Sequence, residues 1–397
     1  MVIIGGGTGG LCLAQALRKA GLDVAVYERS ASRTERLQGY LLHITPWGAR
    51  ILQECLPEPL WRAFRDTCGL ACGDFGFVDE QLVDLARISD GQSRAERDDP
   101  RRAFRSVSRI TLHELLGVGL SDVVSYGKEF THYTRTGTGR VSCHFADGTS
   151  VDADLVIGAD GADSRVRAQY LPAARRVDTG ITVIAGKLPL TGETRAWLPE
   201  RLLDAPNNVL PPGGSGMFIA SHDLGDHDPA SYLMWVHAAT SAPEPDLPGE
   251  ALRELVAEAI TGWHPTLRRL VADTPAESVA MLPIVTSVQV PRWQPTNITL
   301  LGDAIHSMTP FRGIGANIAL RDASVLATNL ISVAQGRLGL LDAIDDYERQ
   351  MTGYGFAAVR ESLRAARAFV SDTRSARTVG GTVRRFFPGL PAEGLRT

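Results

Sequence analysis

The chain has 397 residues, of which 44% are hydrophobic and 22% charged, and its formal net charge is -4 at pH 7. This length and composition are those of a globular protein of roughly two to three domains with a large core. The near-neutral charge, without a basic arm, argues against nucleic acid as a partner, and five scattered cysteines without a paired C-x-x-C argue against a zinc site or a disulfide framework.

The first 30 residues predict a strand, a glycine-rich turn, a helix and a second strand. Met1 to Ile4 is apolar, the sequence GGGTGG follows, and Thr8 to Ala20 has helical spacing. Glycines in G-x-G-x-x-G order permit a tight turn and let backbone amides approach a pyrophosphate at the helix N-terminus, and an acid after the next strand can accept ribose hydroxyls. A purely structural strand-helix turn is the alternative. The predicted cofactor contacts of this segment are Gly5, Gly7, Thr8, Gly9, Gly10, Glu28 and Arg29.

Between this turn and residue 175, strands and helices alternate. A loop is expected to enter a helix at Ala49 to Leu56, strand character marks Phe75 to Ile88, and a solvated Arg- and Asp-rich loop is expected at Ser89 to Arg105. The sequence SRITLHELL has helical spacing, and two short strands joined across TGTG read as a hairpin before the strand in DADLVIGAD. This order indicates an open sheet with accessory β structure.

The sequence pattern changes from about Arg176 to Val288, where most segments have strand character. The segments ITVIAGKL, GMFIASH and SYLMWVHA have strand character, with one helical stretch near Glu250 to Ile260. These features predict a second, mostly antiparallel domain. The sequence NITLLGDAIH then returns to the pattern of the first region, a strand followed by a turn, and a long helix is expected to begin near Gly315.

Two later motifs make the N-terminal one more specific. They are LVIGADGADSRVR, with Asp160 and Gly161, and LLGDAIHSMTPFRGIGANIALRDA, with Gly302 and Asp303. Together with the opening turn, and in the same order, they resemble the FAD-dependent aromatic hydroxylases, which are single-component flavoprotein monooxygenases typified by p-hydroxybenzoate and salicylate hydroxylase. The resemblance covers nearly the whole chain.

This resemblance implies an α/β fold with a Rossmann-like FAD-binding domain, a mostly antiparallel β-sheet substrate domain and C-terminal helices. We expect a discontinuous FAD-binding domain from residues 1–75, 100–175 and 276–340, a substrate domain from residues 76–99 and 176–275, and a helical segment at 341–397. Asp303 would accept hydrogen bonds from ribityl hydroxyls, although an Asp that caps the next turn would stand at the same position. Amides at a second helix N-terminus would stabilise negative charge on reduced flavin. The cofactor contacts implied beyond the first turn are Gly39, Arg109, Phe130, Asp160, Asp303, Pro310, Gly313, Gly315, Ala316 and Asn317.

Other residues remain open between two interpretations. Phe311 and Arg312 follow Pro310 where the family lines its active site, but they could equally serve loop packing and surface charge. In SYLMWVHA, strand alternation puts Trp235 and His237 on one face, as weak substrate candidates that are more often core residues. Asn317 could cap its helix instead of serving the cofactor, and His306 is expected to be structural.

The resemblance implies that NADPH or NADH reduces FAD as a transient co-substrate, and that O2 then forms a flavin C4a-hydroperoxide that hydroxylates a small aromatic or polyketide-like substrate. The alternatives are a flavin-dependent epoxidase or double-bond reductase of the same fold, and a flavin-free binding protein on that fold. No metal site is expected. The first apolar run has four residues and none approaches about 20, so we expect no signal peptide and no membrane anchor, and a cytoplasmic monomer or homodimer.

Overall fold

Five short apolar strands form a parallel sheet in the computed structural model. The first strand is central and pairs in register with two others, with Val2 opposite Val156 on one side and Ala25 on the other. The three strands Val2–Ile4, Val156–Gly158 and Ile298–Leu300 are fully buried, as helix-covered parallel strands are. The order of the five strands across the sheet is Ile298–Leu300, Val156–Gly158, Val2–Ile4, Ala25–Tyr27 and Val124–Ser125. The residues described by the structure are 1–32, 41–70, 74–89, 105–224, 231–240, 244, 246–371 and 395–396.

The chain divides into two compact units. Unit 1, which contains the parallel sheet, consists of Met1–Cys68, Pro100–Val177 and Thr286–Ser362. Unit 2 consists of Gly69–Asp99, Asp178–Val285 and Leu363–Thr397.

Helices pack on the parallel sheet of unit 1. Leu11, Leu13 and Leu17 of the first helix are fully buried and belong to one hydrophobic core with the strands and with Leu326 of a later helix. The helices are Thr8–Lys19, Pro46–Cys55, Glu58–Thr67, Arg109–Leu116, Arg165–Tyr170, Asp303–His306, Gly315–Ala334 and the first part of Leu340–Phe369. The accessory strands of the unit are Leu41–Ile44, Arg105–Ser108, Phe130–Arg135, Val141–Phe145 and Ser150–Ala153.

Unit 2 is built on a mostly antiparallel sheet with helices on one face. Its core joins Leu233 and Trp235 of a central strand to Val256 and Leu270 of two helices. The strand order is Ala280–Ser287, Arg176–Pro189, Tyr232–Ala239, Ser215–His222, Asn207–Val209, Asp74–Val78, Asp84–Ser89 and Leu395–Arg396. The helices are Gly192–Trp197, Glu200–Asp204, Gly249–Ala259 and Pro265–Ala272. The α/β fold class with a Rossmann-like sheet, a second mostly antiparallel sheet and C-terminal helices is therefore confirmed.

Several local predictions differ from the structure. The segment before the second helix is a strand, Leu41–Ile44, and the helix begins at Pro46, because the Thr45 hydroxyl accepts the Gly48 amide and caps it. Phe75 to Ile88 is two strands of a hairpin, Asp74–Val78 and Asp84–Ser89. Most of the loop expected from Ser89 to Arg105 lies outside the described residues.

The first part of the segment 341–397 packs with the rest of unit 1. Residues 341–362 belong to unit 1, because Ile344, Tyr347 and Met351 are buried in the core of that unit. In the described part of the chain, no helix is both long enough and apolar enough to cross a bilayer. Cys12, Cys55, Cys68 and Cys143 have free thiols, and Cys72 lies outside the described residues.

Candidate cofactor site

The N-terminal glycines lie at the carboxyl edge of the parallel sheet, and each meets a different demand. Gly5 has a φ of +109°, and a Cβ atom there would lie 2.3 Å from the Ala159 carbonyl oxygen. A Cβ at Gly10 would lie 2.2 Å from the Gly5 oxygen, whereas a Cβ at Gly7 would meet no protein atom within 4 Å. Gly5 and Gly10 therefore permit close backbone packing, and Gly7 borders open space in front of the helix N-terminus.

That open space is a cleft of roughly 220 Å³ within unit 1. Several predicted cofactor residues share it, although they are far apart in the sequence. Its lining comprises Ile4, Gly5, Gly6, Gly7, Thr8, Tyr27, Glu28, Arg29, Ser30, Ser32, Arg109, His113, Tyr126, Lys128, Glu129, Phe130, Ala159, Asp160, Gly161, Asp163 and Arg165. Gly9 and Gly10 are buried behind the turn, so they support the cleft without lining it.

The Glu28 carboxylate is fixed by backbone amides. Its Oε2 accepts the Gly6 N–H at 2.7 Å and its Oε1 accepts the Ser30 N–H at 2.8 Å. An ionised carboxylate can accept about four hydrogen bonds, so each oxygen can take one more donor. The side chain is thus oriented to receive a pair of hydroxyl groups from a ligand in the cleft, as the sequence predicts for a ribose.

A helix on the opposite side of the cleft supports the turn. Arg109 is exposed at the start of Arg109–Leu116 and lines the cleft, and His113, one turn later on the same face, places Nε2 2.8 Å from the Gly6 carbonyl oxygen. The two peptide units that flank the Gly6 Cα are therefore both held, the first through the Gly6 N–H by Glu28 and the second through the Gly6 oxygen by His113. Sequence reasoning missed His113, although its helical spacing from Arg109 indicated a shared face.

The Phe130 region closes another side. The Phe130 ring is buried in the core, and its carbonyl oxygen accepts Nη1 of Arg165 at 2.8 Å. Arg165 also pairs with Glu129 at 2.7 Å. Nearby, the Tyr126 hydroxyl is buried and has no hydrogen-bond partner among the described residues. A buried hydroxyl without a partner is costly, so a ligand or water in this cleft would satisfy it.

Asp160 lines the cleft, but its carboxylate oxygens accept hydrogen bonds from the first residues of the next helix and from its cap. It accepts the Ser164 hydroxyl and the amides of Arg165, at 2.8 Å, and Val166, at 3.2 Å. Burial raises the pKa of Asp160, and these hydrogen bonds counter the rise. Arg167, behind it, donates to the Ala304 carbonyl oxygen at 2.9 Å and so ties this helix to the turn that bears Asp303.

Asp303 follows the edge strand Ile298–Leu300 and is reached by solvent, and no described donor hydrogen-bonds its carboxylate. Protein nevertheless surrounds the carboxyl on most sides, and this burial raises its pKa, whereas the charges of His306 and Arg109 lower it. Asp303 is therefore an accessible acceptor close enough to Arg109 for their charges to interact.

The second helix N-terminus is also in unit 1. Pro310 begins a short 3-10 turn, Gly313 closes it with a φ of +60°, and the helix Gly315–Ala334 begins after Ile314 without a side-chain cap. The amides of Gly315 and Ala316 are thus available to a ligand.

The Asn317 side chain joins its helix to the preceding strand region. It is fully buried; Oδ1 accepts the backbone N–H of Thr45 at 2.9 Å and its hydroxyl at 3.0 Å, and Nδ2 donates to the His43 oxygen at 2.7 Å. The side chain therefore does not cap its own helix, as one interpretation expected. The predicted contact of Asn317 with the cofactor stays a prediction.

The substrate candidates fall into two groups. Arg312 pairs with Glu361 in unit 1 and is half-buried, like Phe311. Trp235 is fully buried in the core of unit 2, where its indole N–H donates to the Thr274 hydroxyl at 2.9 Å. His237, on the same strand face, is 6% exposed and packs against Trp263. The alternation was predicted correctly, but this face is the helix-covered one, so a substrate role for Trp235 or His237 has no support from the packing.

Gly39 lies outside the described residues. Among the residues that are described, no three His, Cys, Asp or Glu side chains could together hold a metal ion. The cleft fits a dinucleotide, because it combines an open helix N-terminus at Gly7, spare acceptor positions on Glu28 and an unsatisfied hydroxyl on Tyr126. Asp303 is not among the residues that line the cleft, but its charge interacts with that of Arg109, which does line it.

Two family models match the chain. The model described as an FAD binding domain matches residues 124–362, more than half of the chain, and the model described as an NAD(P)-binding Rossmann-like domain matches residues 3–67. The matched regions include all three motifs.

Individual relatives and a solved structure are also similar to most of the chain. The chain is 31% identical over 388 residues to a dual O-methyltransferase/FAD-dependent monooxygenase of Cercospora beticola, covering 88% of this chain and 44% of that protein. It is 32% identical over 336 residues to the 3-amino-4-hydroxybenzoate 2-monooxygenase of Streptomyces platensis, covering 82% and 78%. A crystal structure of a candidate FAD-containing monooxygenase from Photorhabdus luminescens superposes with a TM-score of 0.85 at 37% identity, covering 93% and 98%.

The chain spans about half the length of the dual-function relatives, such as the Cercospora protein at 44%. Against the Streptomyces enzyme the alignment covers most of both chains. With the family model, these matches show that the protein belongs to the FAD-dependent monooxygenases of the flavoprotein aromatic hydroxylase type.

Proposed function

We propose that this protein uses NADPH or NADH and O2 to hydroxylate a small aromatic or polyketide-like substrate with FAD as its resident cofactor. The observation that carries the proposal is the convergence of Gly7, Glu28, Arg109 and Asp160 on one cleft of unit 1, with Asp303 close enough to interact with Arg109. When bound, FAD supplies the redox chemistry and the activation of dioxygen.

The residues of unit 1 would divide the binding of FAD between them. Glu28 would hold the ribose hydroxyls, the helix N-terminus at Gly7 and Thr8 the pyrophosphate, and Asp303 the ribityl chain. The amides of Gly315 and Ala316 would stabilise negative charge on the reduced cofactor, because preorganised donors at a helix N-terminus favour an anion without further reorganisation.

A face of the unit 2 sheet supports an aromatic substrate. Opposite the helix-covered side, Phe75 lies 5.3 Å from Phe77 and 6.2 Å from Phe218, centroid to centroid. Asn208 is the cross-strand partner of both Phe77 and Phe218; it is 4% exposed, and no described residue hydrogen-bonds its side-chain amide. A side-chain amide without a described protein partner, set among aromatic rings, would favour a planar ring with a hydroxyl or carbonyl group. The Streptomyces relative, which is named for an aminohydroxybenzoate, agrees with this class.

The test begins with the colour and FAD content of the purified protein. Candidate phenols and aromatic acids are then screened for faster NADPH or NADH oxidation, with hydrogen peroxide and 18O in the product measured in parallel. Stimulated oxidation with one 18O atom from 18O2 in the product, and little peroxide, is expected. Oxidation without oxygen uptake would instead identify a double-bond reductase, and protein that does not take up FAD would refute every flavin-dependent activity.

Two variants connect the chemistry to the structure. Asp303→Ala should weaken FAD binding measurably, and an unchanged FAD affinity would refute its assigned role. Asn208→Leu should raise KM for the true substrate without changing FAD affinity, whereas an unchanged KM would remove the unit 2 face from the substrate site. The predicted monomer or homodimer and the cytoplasmic location stay predictions.

A further inference from the structure

A fully buried carboxylate lies behind the turn that carries Asp303. Asp322, in the middle of helix Gly315–Ala334, is 0% exposed and has three hydrogen-bond partners. Its Oδ2 lies 2.7 Å from the Gly302 amide nitrogen and 2.7 Å from Nε2 of His306, and its Oδ1 accepts the Tyr354 hydroxyl at 2.6 Å. Three separate segments of unit 1 therefore meet on one carboxylate.

The hydrogen-bond partner of Asp322 next to Asp303 is Gly302, whose backbone conformation only glycine adopts readily. Gly302 has φ +64° and ψ -140°, and Asp303 follows it directly. Its amide is buried and hydrogen-bonded to Asp322, and this bond holds the backbone in this one of the many conformations that glycine can adopt. The direction in which Asp303 leaves the strand depends on that conformation.

His306 links the two carboxylates by charge. Burial acts to lower the pKa of His306, but Asp322 and Asp303 outweigh it and raise the pKa above its ordinary value. The ring is closely enclosed, because a Cβ at Gly355 would lie 2.5 Å from its Cδ2. The shift favours a protonated ring more than in a free histidine, and a positive charge there would compensate the charge of Asp322, as a buried carboxylate needs.

We propose that Asp322 is a positioning residue for FAD binding. Supported by His306 and Tyr354, the Asp322 carboxylate fixes the turn at Gly302, and this turn directs the Asp303 side chain toward the ribityl chain of FAD. This inference rests on the role of Asp303 in the proposed function. It gives His306 a specific task within its expected structural role, and it gives tasks to Asp322 and Tyr354, which the sequence analysis did not single out.

The test is a double-mutant cycle on FAD affinity. Holoenzyme with Asp322→Asn, Asp303→Ala or both changes is serially diluted, and free FAD is measured by its fluorescence to give Kd. A hydrogen bond to a charged group is worth about 1.5–3 kcal/mol, so we expect Asp322→Asn to raise Kd about 10- to 100-fold. In the Asp303→Ala background the same change should raise Kd less than about threefold, because the residue through which Asp322 acts is gone.

The outcomes separate this inference from the function on which it rests. If Asp303→Ala leaves Kd unchanged, the proposed role of Asp303 fails. If Asp303→Ala raises Kd but Asp322→Asn does not, or does so by the same factor in both backgrounds, only the positioning role of Asp322 is overturned.

A second, more conservative variant tests the inference if Asp322→Asn does not fold. Tyr354→Phe keeps the ring and removes one hydrogen bond to Asp322, and we expect a Kd about 3- to 10-fold higher, again only when Asp303 is present. Its matched control is Tyr170→Phe, which removes a hydroxyl that accepts from Thr296 in the same unit at 3.0 Å. Equal effects of the two variants on Kd would mean that general destabilisation, not positioning, changes FAD binding, and would overturn the inference.

Discussion

Glu348 should make the stability of unit 1 depend on pH in a way that one substitution removes. The residue lies on helix Leu340–Phe369 and is 5% exposed, and its Oε1 accepts the Thr299 hydroxyl at 2.8 Å beneath the edge strand. Burial raises the pKa of its carboxyl from 4.5 to about 7. In the folded protein this group therefore holds its proton more tightly than in the unfolded chain.

The sign follows from proton linkage. Between pH 4.5 and about 7 the folded state binds more protons at this site, so its contribution to stability falls as the pH rises through that window. Above the window the ionised carboxylate costs about 3 kcal/mol, since each pKa unit is worth about 1.4 kcal/mol. Glu348→Gln has no such ionisation and retains an oxygen for Thr299. Relative to the natural protein, it should gain about 2.5 kcal/mol between pH 5 and pH 8.

The assay is thermal unfolding of both proteins with bound FAD from pH 5 to pH 9, followed by flavin fluorescence and circular dichroism. We expect the Tm difference to grow by roughly 5–10 °C over this range. Glu54→Gln is the control, because it makes the same chemical change at an exposed helix position. A Tm difference that is the same at every pH would refute the reasoning, because it would show that Glu348 is ionised in the fold throughout.

Further changes test the site and the core. Gly7→Ala should leave the unfolding free energy within about 1 kcal/mol but weaken FAD binding at least about tenfold, because a Cβ there meets no protein atom; equal FAD affinity would place the pyrophosphate elsewhere. Gly10→Ala should destabilise the protein itself by about 1–3 kcal/mol, since its Cβ would lie 2.2 Å from the Gly5 oxygen, and chemical denaturation measures this. Asn317→Ala should cost about 2–4 kcal/mol because it leaves buried partners on the neighbouring strand unsatisfied, and an unchanged denaturation midpoint would contradict that. Trp235→Phe should lower Tm without changing KM, whereas a raised KM would restore its substrate role.

The sequence predicts best the features that are local in the chain. The turn at Gly5 to Gly10 and the helix after it follow from glycine spacing and helical periodicity within 20 residues. The approach of Asp160 to this turn was also predictable, because a buried parallel strand delivers its following residue to the same sheet edge.

Features that depend on packing between distant segments were not predictable from periodicity. Alternation placed Trp235 and His237 on one strand face, but which face the helices cover depends on the topology of the whole unit. The Asn317 side chain was expected at the cofactor or as a cap of its own helix, and its hydrogen bonds to Thr45 and His43, 272 and 274 residues earlier, were not predicted. Asp322 was missed although one signal existed: it is four residues from both Ile318 and Leu326, so it lies on the buried stripe of its helix.

The division of unit 1 into three chain segments also has a consequence for biosynthesis. The strand at Thr45 stays without its partner Asn317 until 272 more residues have been made, which takes on the order of 15–50 s at translation rates of about 5–20 residues per second. During that interval the nascent first segment exposes apolar strands and a glycine-rich turn that cannot yet close around a cofactor. The cofactor site is therefore complete only after the ribosome has passed the end of the helix Gly315–Ala334.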